Sequence, residues 1–369
     1  MKNKYPKTTA ILLGFFLIFI ANKTAKLFLN QAKVEKAIMP NFVKEVYGEN
    51  NVNDYLLVLQ EQNKELDYKP FIEFSEKSRD GKFVNVSSQG IRCNSNNTHN
   101  CFFKGGKKEI WVFGGSTAFG YGVKDEETIP AYLEKLVKKK VINFGTGYYY
   151  STNERILFQN LLQQYAPPYA AIFLDGYNDI LYFKLPSRSA ISDRIEQKVK
   201  KISSNQQLFN WLVSRVVRLN IYRLIEEKFI KKENDYSINS FYELATDDEI
   251  SMAINRLSVN QTINSKVGES FDIKILNIIQ PVAVMGEGIH KSNVPKNFID
   301  LNSEMMVNLK KAYMEINNDS QIFSTNAKKN LLNLTFLVSD DPMYVDEAHY
   351  SPKFNKLIAY EIFKFIQLL

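Results

Sequence analysis

The sequence predicts an α/β fold built on a parallel sheet, and three observations carry that prediction. From Ile110 onward, short apolar runs rich in β-branched and aromatic residues alternate with segments of helical periodicity. Three of those runs, Ile110–Phe113, Val141–Phe144 and Ala170–Leu174, each end in a polar turn that contains glycine. With right-handed crossovers, such turns lie along one edge of a parallel sheet, so polar groups from separate turns converge on one crevice.

The elements follow in order. Lys2, Lys4 and Lys7 precede an apolar block, Ala10–Ala21, with no further charge until Lys23. Positive charge ahead of the block predicts a cytoplasmic N-terminus and export of the rest. The block is short for a bilayer span of about 20 residues, but no small-x-small cleavage site follows it. An uncleaved signal anchor over residues 1–30 is therefore favoured over a cleaved signal peptide. Residues 31–105 form an accessory segment, with a helix at Val52–Gln62 and extended stretches at Tyr68–Phe74 and Lys82–Val86. The turn Arg79-Asp80-Gly81 lies between the last two. Cys93 and Cys101 flank a polar loop, and after export they are placed to form a disulfide.

The first strand of the main domain, residues 106–369, runs into Gly114-Gly115-Ser116, which sets a hydroxyl on a tight turn at a strand's carboxyl end. Most such turns are only turns. A phosphate-binding loop would need a Gly-Lys-Ser/Thr, and none follows. Ile129–Lys139 and Asn153–Tyr165 read as helices between successive strands. The second strand ends in Gly145-Thr146-Gly147, and the third in Asp175-Gly176-Tyr177-Asn178-Asp179. Ile180–Thr246 interrupts the alternation as a helical, cap-like insertion, with Leu208–Phe229 its longest helix. The alternation then resumes with a helix at Asp247–Lys266, a strand at Asp272–Ile279, a helix at Leu301–Ile316 and a last strand at Leu334–Val338. A final helix starts cleanly, with Ser351 as N-cap and Pro352 in its first turn.

Composition removes several functional classes. The 47 Lys and Arg residues exceed the 40 Asp and Glu by a modest, dispersed margin, and no nucleic-acid motif accompanies them. Two cysteines exclude a Cys-rich zinc site. Asp340, Asp341, Asp346, Glu347 and His349 could be read as a metal site, but no second histidine lies nearby. Only three histidines occur, so an imidazole base must be His99, His290 or His349. His99 and His290 lie in polar loops. Asp346 stands three residues before His349, close enough to fix its tautomer and stabilise the imidazolium that a serine nucleophile's base becomes.

Ser116, the Gly145–Tyr148 turn, Gly176-x-Asn178-Asp179 and Asp346-x-x-His349 occur in that order, and together they resemble the SGNH (GDSL-type) serine hydrolases. The resemblance runs from Ile110 to the C-terminus, apart from the insertion. It implies a flavodoxin-like three-layer α/β/α sandwich and a serine esterase that needs no cofactor or metal. Ser116 would be the nucleophile, His349 its base and Asp346 the orienting acid. The oxyanion hole would use the Ser116 N–H, the Asn178 side chain and a second-block amide. The usual Asn-x-Gly-x-x-Gly is Asn143-Phe144-Gly145-Thr146-Gly147-Tyr148 here, so counting from Asn143 gives Tyr148, whereas keeping a glycine gives Gly147. Gly145, Gly176 and Asp179 would support the site, and Gly115 stands where the family usually has an acid. The expected substrate is a small-molecule or glycan ester, in particular an O-acetyl group on a cell-envelope glycan, met outside the membrane. A glycan O-acyltransferase, a lipase or thioesterase, and a catalytically dead binding module are the alternatives. No nucleic-acid partner is expected, and nothing in the residues sets an oligomeric state.

Overall fold

The computed structural model describes residues 41–62, 66–95, 101–183, 243–285, 303–318, 322–323 and 325–368. The expected anchor at residues 1–30, the Leu208–Phe229 helix, His99 and His290 lie outside them. Among the described residues, no helix is long and apolar enough to cross a membrane.

Five parallel strands form the central sheet: β3 (Glu109–Gly114), β4 (Lys140–Asn143), β5 (Ala170–Asp175), β6 (Lys274–Ile279) and β7 (Leu331–Asn333). An antiparallel hairpin, β1 (Leu66–Lys69) and β2 (Glu73–Glu76), precedes them in the chain. The sheet order is β4-β3-β5-β6-β7, the flavodoxin-like order, which reverses direction between β3 and β5. Every residue of β3 and β5 is buried, which is why these strands read as continuous apolar runs and not as alternating ones.

One face of the sheet carries an aromatic core of Trp111, Phe113, Phe144 and Phe173. Phe113 stacks on Phe144 and Phe173 at centroid distances of 5.2 and 4.9 Å. Phe158, from the helix Ser151–Gln164, covers them together with Val267 of the helix Asp247–Phe271. Ile110, Val112, Ile172 and Leu174, which alternate with those residues, are buried as well, so both faces are covered. The helix Ile129–Val137 packs on β4 and on the C-terminal helix Pro352–Leu368. The layers are therefore helix, sheet and helix.

Caps fix the helix starts. Thr128 accepts from the Ala131 amide ahead of the first crossover helix, and Thr246 and Glu249 exchange hydrogen bonds in a capping box before Asp247–Phe271.

Two expectations are corrected. Tyr68–Phe74 is not one extended stretch but both arms of the β1–β2 hairpin. Pro70 stops β1, and Phe71 and Glu73 turn the chain with φ of 70° and 68°. The last strand is Leu331–Asn333, not Leu334–Val338. Asn333 Oδ1 accepts from the Thr335 amide at 3.0 Å, curling the chain into a turn that ends the pairing with β6.

Residues 77–95 lie against the main domain in irregular conformation. Glu61, from the helix Val52–Gln62, accepts from the amides of Lys82, Phe83 and Val84. Arg92 bridges to Asn143 at the edge strand β4. Cys93 and Cys101 are joined by a disulfide.

Candidate active site

Ser116 opens a single-turn helix, Ser116–Phe119, immediately after β3, and Asn178 lies just after β5. The two thus flank the point where the sheet order reverses, where ligands bind in open α/β sheets. Gly115 is held to glycine by close approach. A Cβ built there would lie 2.5 Å from Asn178 Nδ2 and 2.9 Å from the Tyr149 carbonyl oxygen. At Gly145 a Cβ would sit 2.2 Å from the Phe119 nitrogen, so the second loop can close on the helix that Ser116 opens only without a side chain.

The structure brings Ser116, His349 and Asp346 together across more than 200 residues of chain. His349 Nε2 lies 2.8 Å from Ser116 Oγ, and His349 Nδ1 lies 2.7 Å from Asp346 Oδ2. Asp346 Oδ1 also accepts from the amides of Ala348 and His349 at 2.8 and 2.7 Å. Burial opposes the charged form of Asp346, but the adjacent His349, its ring hydrogen bond and those amides outweigh it and hold the carboxyl below its ordinary value. The ionised Asp346 accepts, so Nδ1 carries the proton and Nε2 presents its lone pair to the serine hydroxyl. The supporting loop is folded on itself: Tyr344 and Tyr350 form an antiparallel bridge, and the Val345 amide donates to the His349 carbonyl at 2.9 Å.

The second and third turns meet beside this triad. Asn178 Nδ2 donates to the Tyr149 carbonyl at 2.6 Å, and its second amide proton has no acceptor among the described residues. Asn143 Oδ1 accepts from Gly145 N–H at 2.9 Å, and Asn143 Nδ2 donates to the Ala118 carbonyl at 3.0 Å. Gly147 N–H donates to Glu76 Oε1 at 3.2 Å, so that amide already has an acceptor. Tyr148 follows in the left-handed region at φ 69° and is 55% exposed. Gly176 precedes the short helix Tyr177–Leu181, and its amide donates to Asp179. Asp179 also accepts from the amide and hydroxyl of Ser151, tying the third turn to the start of the second crossover helix.

Sequence reasoning missed several groups that complete the site. Tyr121 packs on the His349 ring at a centroid distance of 4.5 Å. Gln62 grips both glycines flanking it, donating to the Gly120 carbonyl at 2.9 Å and accepting from Gly122 N–H at 2.8 Å. Tyr121 could have been suspected from its place five residues after Ser116. Gln62 and Glu76 carry no local signal.

Behind the third turn, Glu154 and Asp175 lie fully buried beside one another. Burial pushes both carboxyls well above their ordinary values, reinforced by the charge of Asp175 at Glu154 and by that of Asp179 at Asp175. The folded protein therefore keeps protons that the unfolded chain releases. The stabilisation from this pair is complete below the ordinary carboxyl range and is lost as pH rises through the raised values. Asp175→Asn is expected to raise the thermal midpoint relative to wild type, by a margin that grows as pH rises from the ordinary carboxyl range into neutral and alkaline conditions. Thermal melts of both proteins across that range check it. Among the described residues, no His, Cys, Asp and Glu cluster is suited to a metal ion.

No protein-family model and no curated protein matches the chain. Solved structures do. A lipolytic protein of the G-D-S-L family from Desulfitobacterium hafniense is 15% identical, with a TM-score of 0.36 over 70% of this chain and 99% of its own. The psychrotrophic esterase EstA from Pseudoalteromonas is 14% identical, with a TM-score of 0.33 over 71% of this chain and 98% of its own. An SGNH hydrolase from Slackia heliotrinireducens is 12% identical, with a TM-score of 0.33 over 71% of this chain and 100% of its own.

Proposed function

We propose that this chain is a serine ester hydrolase of the SGNH type, working through an acyl-enzyme on Ser116. The observation that carries the reading is the continuous relay from Asp346 through both ring nitrogens of His349 to Ser116 Oγ, at 2.7 and 2.8 Å. As Ser116 Oγ bonds to the ester carbonyl carbon, its proton passes to His349 Nε2, and Asp346 stabilises the imidazolium. The carbonyl oxygen becomes an oxyanion, held by the amides of Ser116 and Tyr148 and by Asn178 Nδ2. The engagement of Gly147 N–H by Glu76 favours Tyr148 as the second-block donor. Collapse expels the alcohol, which takes the proton from His349. Water then adds to the acyl-enzyme with His349 again as base, releasing the acid and restoring Ser116. This chemistry calls for no metal or organic cofactor.

The finer reading is an O-acetyl esterase of cell-envelope glycans, held at the outer side of a membrane by its first 30 residues. Its support is the basic flank and apolar block at Lys2–Ala21 and the family resemblance of the ordered motifs. The test uses the full chain in detergent with p-nitrophenyl acetate, butyrate and octanoate, followed by acetylated glycan. Turnover that falls with acyl length, releases acetate from the glycan and disappears in Ser116→Ala is expected. Acetyl transfer to a glycan hydroxyl without free acetate would instead establish the acyltransferase, and a preference for octanoate the lipase or thioesterase.

A further inference from the structure

We infer that the β1–β2 hairpin, which precedes the central sheet, is a positioning clamp for the oxyanion loop, gripping Gly147 through Glu76 and Tyr149 through Phe74. The inference rests on the hydrolase reading above. Residues 144–150 meet the hairpin on both sides of Tyr148. On one side, Glu76 Oε1 accepts from Gly147 N–H at 3.2 Å. On the other, Tyr149 Oη donates to the Phe74 carbonyl, and the two rings meet edge to face at 5.2 Å. The Tyr149 carbonyl in turn accepts from Asn178 Nδ2. One short element thus reaches two oxyanion donors: the Tyr148 amide through both its neighbours, and the Asn178 amide through Tyr149.

The chemistry of the grips fits positioning better than packing. Glu76 is only 7% exposed, and a carboxylate brought that far from water needs compensation. Arg79 supplies it by pairing with Oε2, while its Nη1 donates to the carbonyls of Glu61 and Gln62 at 3.1 and 3.2 Å. Oε1 is left to hold a backbone amide of the catalytic loop. Tyr148 sits between the grips at φ 69°, a conformation that a side-chain-bearing residue keeps only when its surroundings impose it. Releasing a grip frees Tyr148 to relax and turns its N–H away from the developing oxyanion. Displacement of such a donor by about 1 Å costs up to about 100-fold in rate.

The test combines amide hydrogen exchange over residues 144–150 with steady-state kinetics on p-nitrophenyl acetate. Glu76→Ala is expected to speed exchange in that segment and lower kcat by about 10- to 100-fold, with KM nearly unchanged. Glu76→Gln, which keeps an acceptor for Gly147 N–H, is expected to restore most of kcat. Tyr149→Phe keeps the ring on Phe74 but loses the hydroxyl, and gives an independent fall in kcat should Glu76→Ala fold poorly. Unchanged exchange in Glu76→Ala, faster exchange with unchanged kcat, or a rise confined to KM would each overturn the clamp. Exchange needs no substrate. A wild type without Ser116-dependent turnover thus rejects the hydrolase reading, while unchanged exchange rejects the clamp itself.

Discussion

Replacing His349 with alanine is expected to lower kcat on p-nitrophenyl acetate by about 10⁶-fold, and Asp346→Asn by about 10⁴-fold, with KM little changed in both. The two losses differ because the two groups do different work. In the proposed mechanism, nothing accepts the Ser116 proton without His349 as the bond to the acyl carbon forms. With Asn at 346 the imidazole remains, but its Nδ1 faces an amide that can donate, which favours the wrong tautomer and removes the charge that stabilises the imidazolium. The 2.7 and 2.8 Å contacts of Asp346 with the His349 and Ala348 amides make the asparagine variant informative, because its side-chain oxygen can still accept from that backbone. Steady-state rates on the purified variants check both figures. A loss below about tenfold for His349→Ala contradicts its role as base.

The second large effect is on stability. Arg92 and Asp125 are a fully buried ion pair, Nε to Oδ1 at 2.7 Å, each with no exposed side-chain surface. The pair is embedded in further bonds. Arg92 Nη2 donates to the Val123 carbonyl, its guanidinium lies over the Phe119 ring at 4.7 Å, and Asp125 accepts from the amide and side chain of Asn85. Burial pushes Asp125 up to about 6 despite Arg92, a measure of how dry the site is. Asp125→Ala strands a guanidinium there and is expected to cost about 3–5 kcal/mol. The double change Arg92→Met with Asp125→Leu removes both charges and is expected to cost much less. Urea denaturation of the three proteins decides it. Equal losses in the single and double variants would show that packing, not an orphaned charge, sets the cost.

What the sequence made readable follows from the same physics. β3 and β5 could be placed because a parallel sheet buried on both faces demands continuous apolar runs. The site residues could be proposed because a serine on a glycine turn and a histidine three residues after an aspartate are local patterns. Leu334–Val338 misled for the converse reason: it is as apolar as a strand, but the side chain of Asn333 ends the pairing first. Tyr68–Phe74 hid a hairpin because its turn, Pro70-Phe71-Ile72, holds no glycine. Glu76 was unreadable, since its partner Gly147 lies 71 positions away and an isolated glutamate before a basic stretch looks like a solvated surface.

The most direct measurement is covalent. The full-length protein would be treated with a fluorophosphonate, digested and mapped by mass spectrometry, with Ser116→Ala in parallel and p-nitrophenyl acetate turnover followed in both. The geometry predicts a single adduct on Ser116, loss of turnover in step with labelling, and neither adduct nor turnover in the variant. Labelling elsewhere, or turnover that survives in Ser116→Ala, would contradict it.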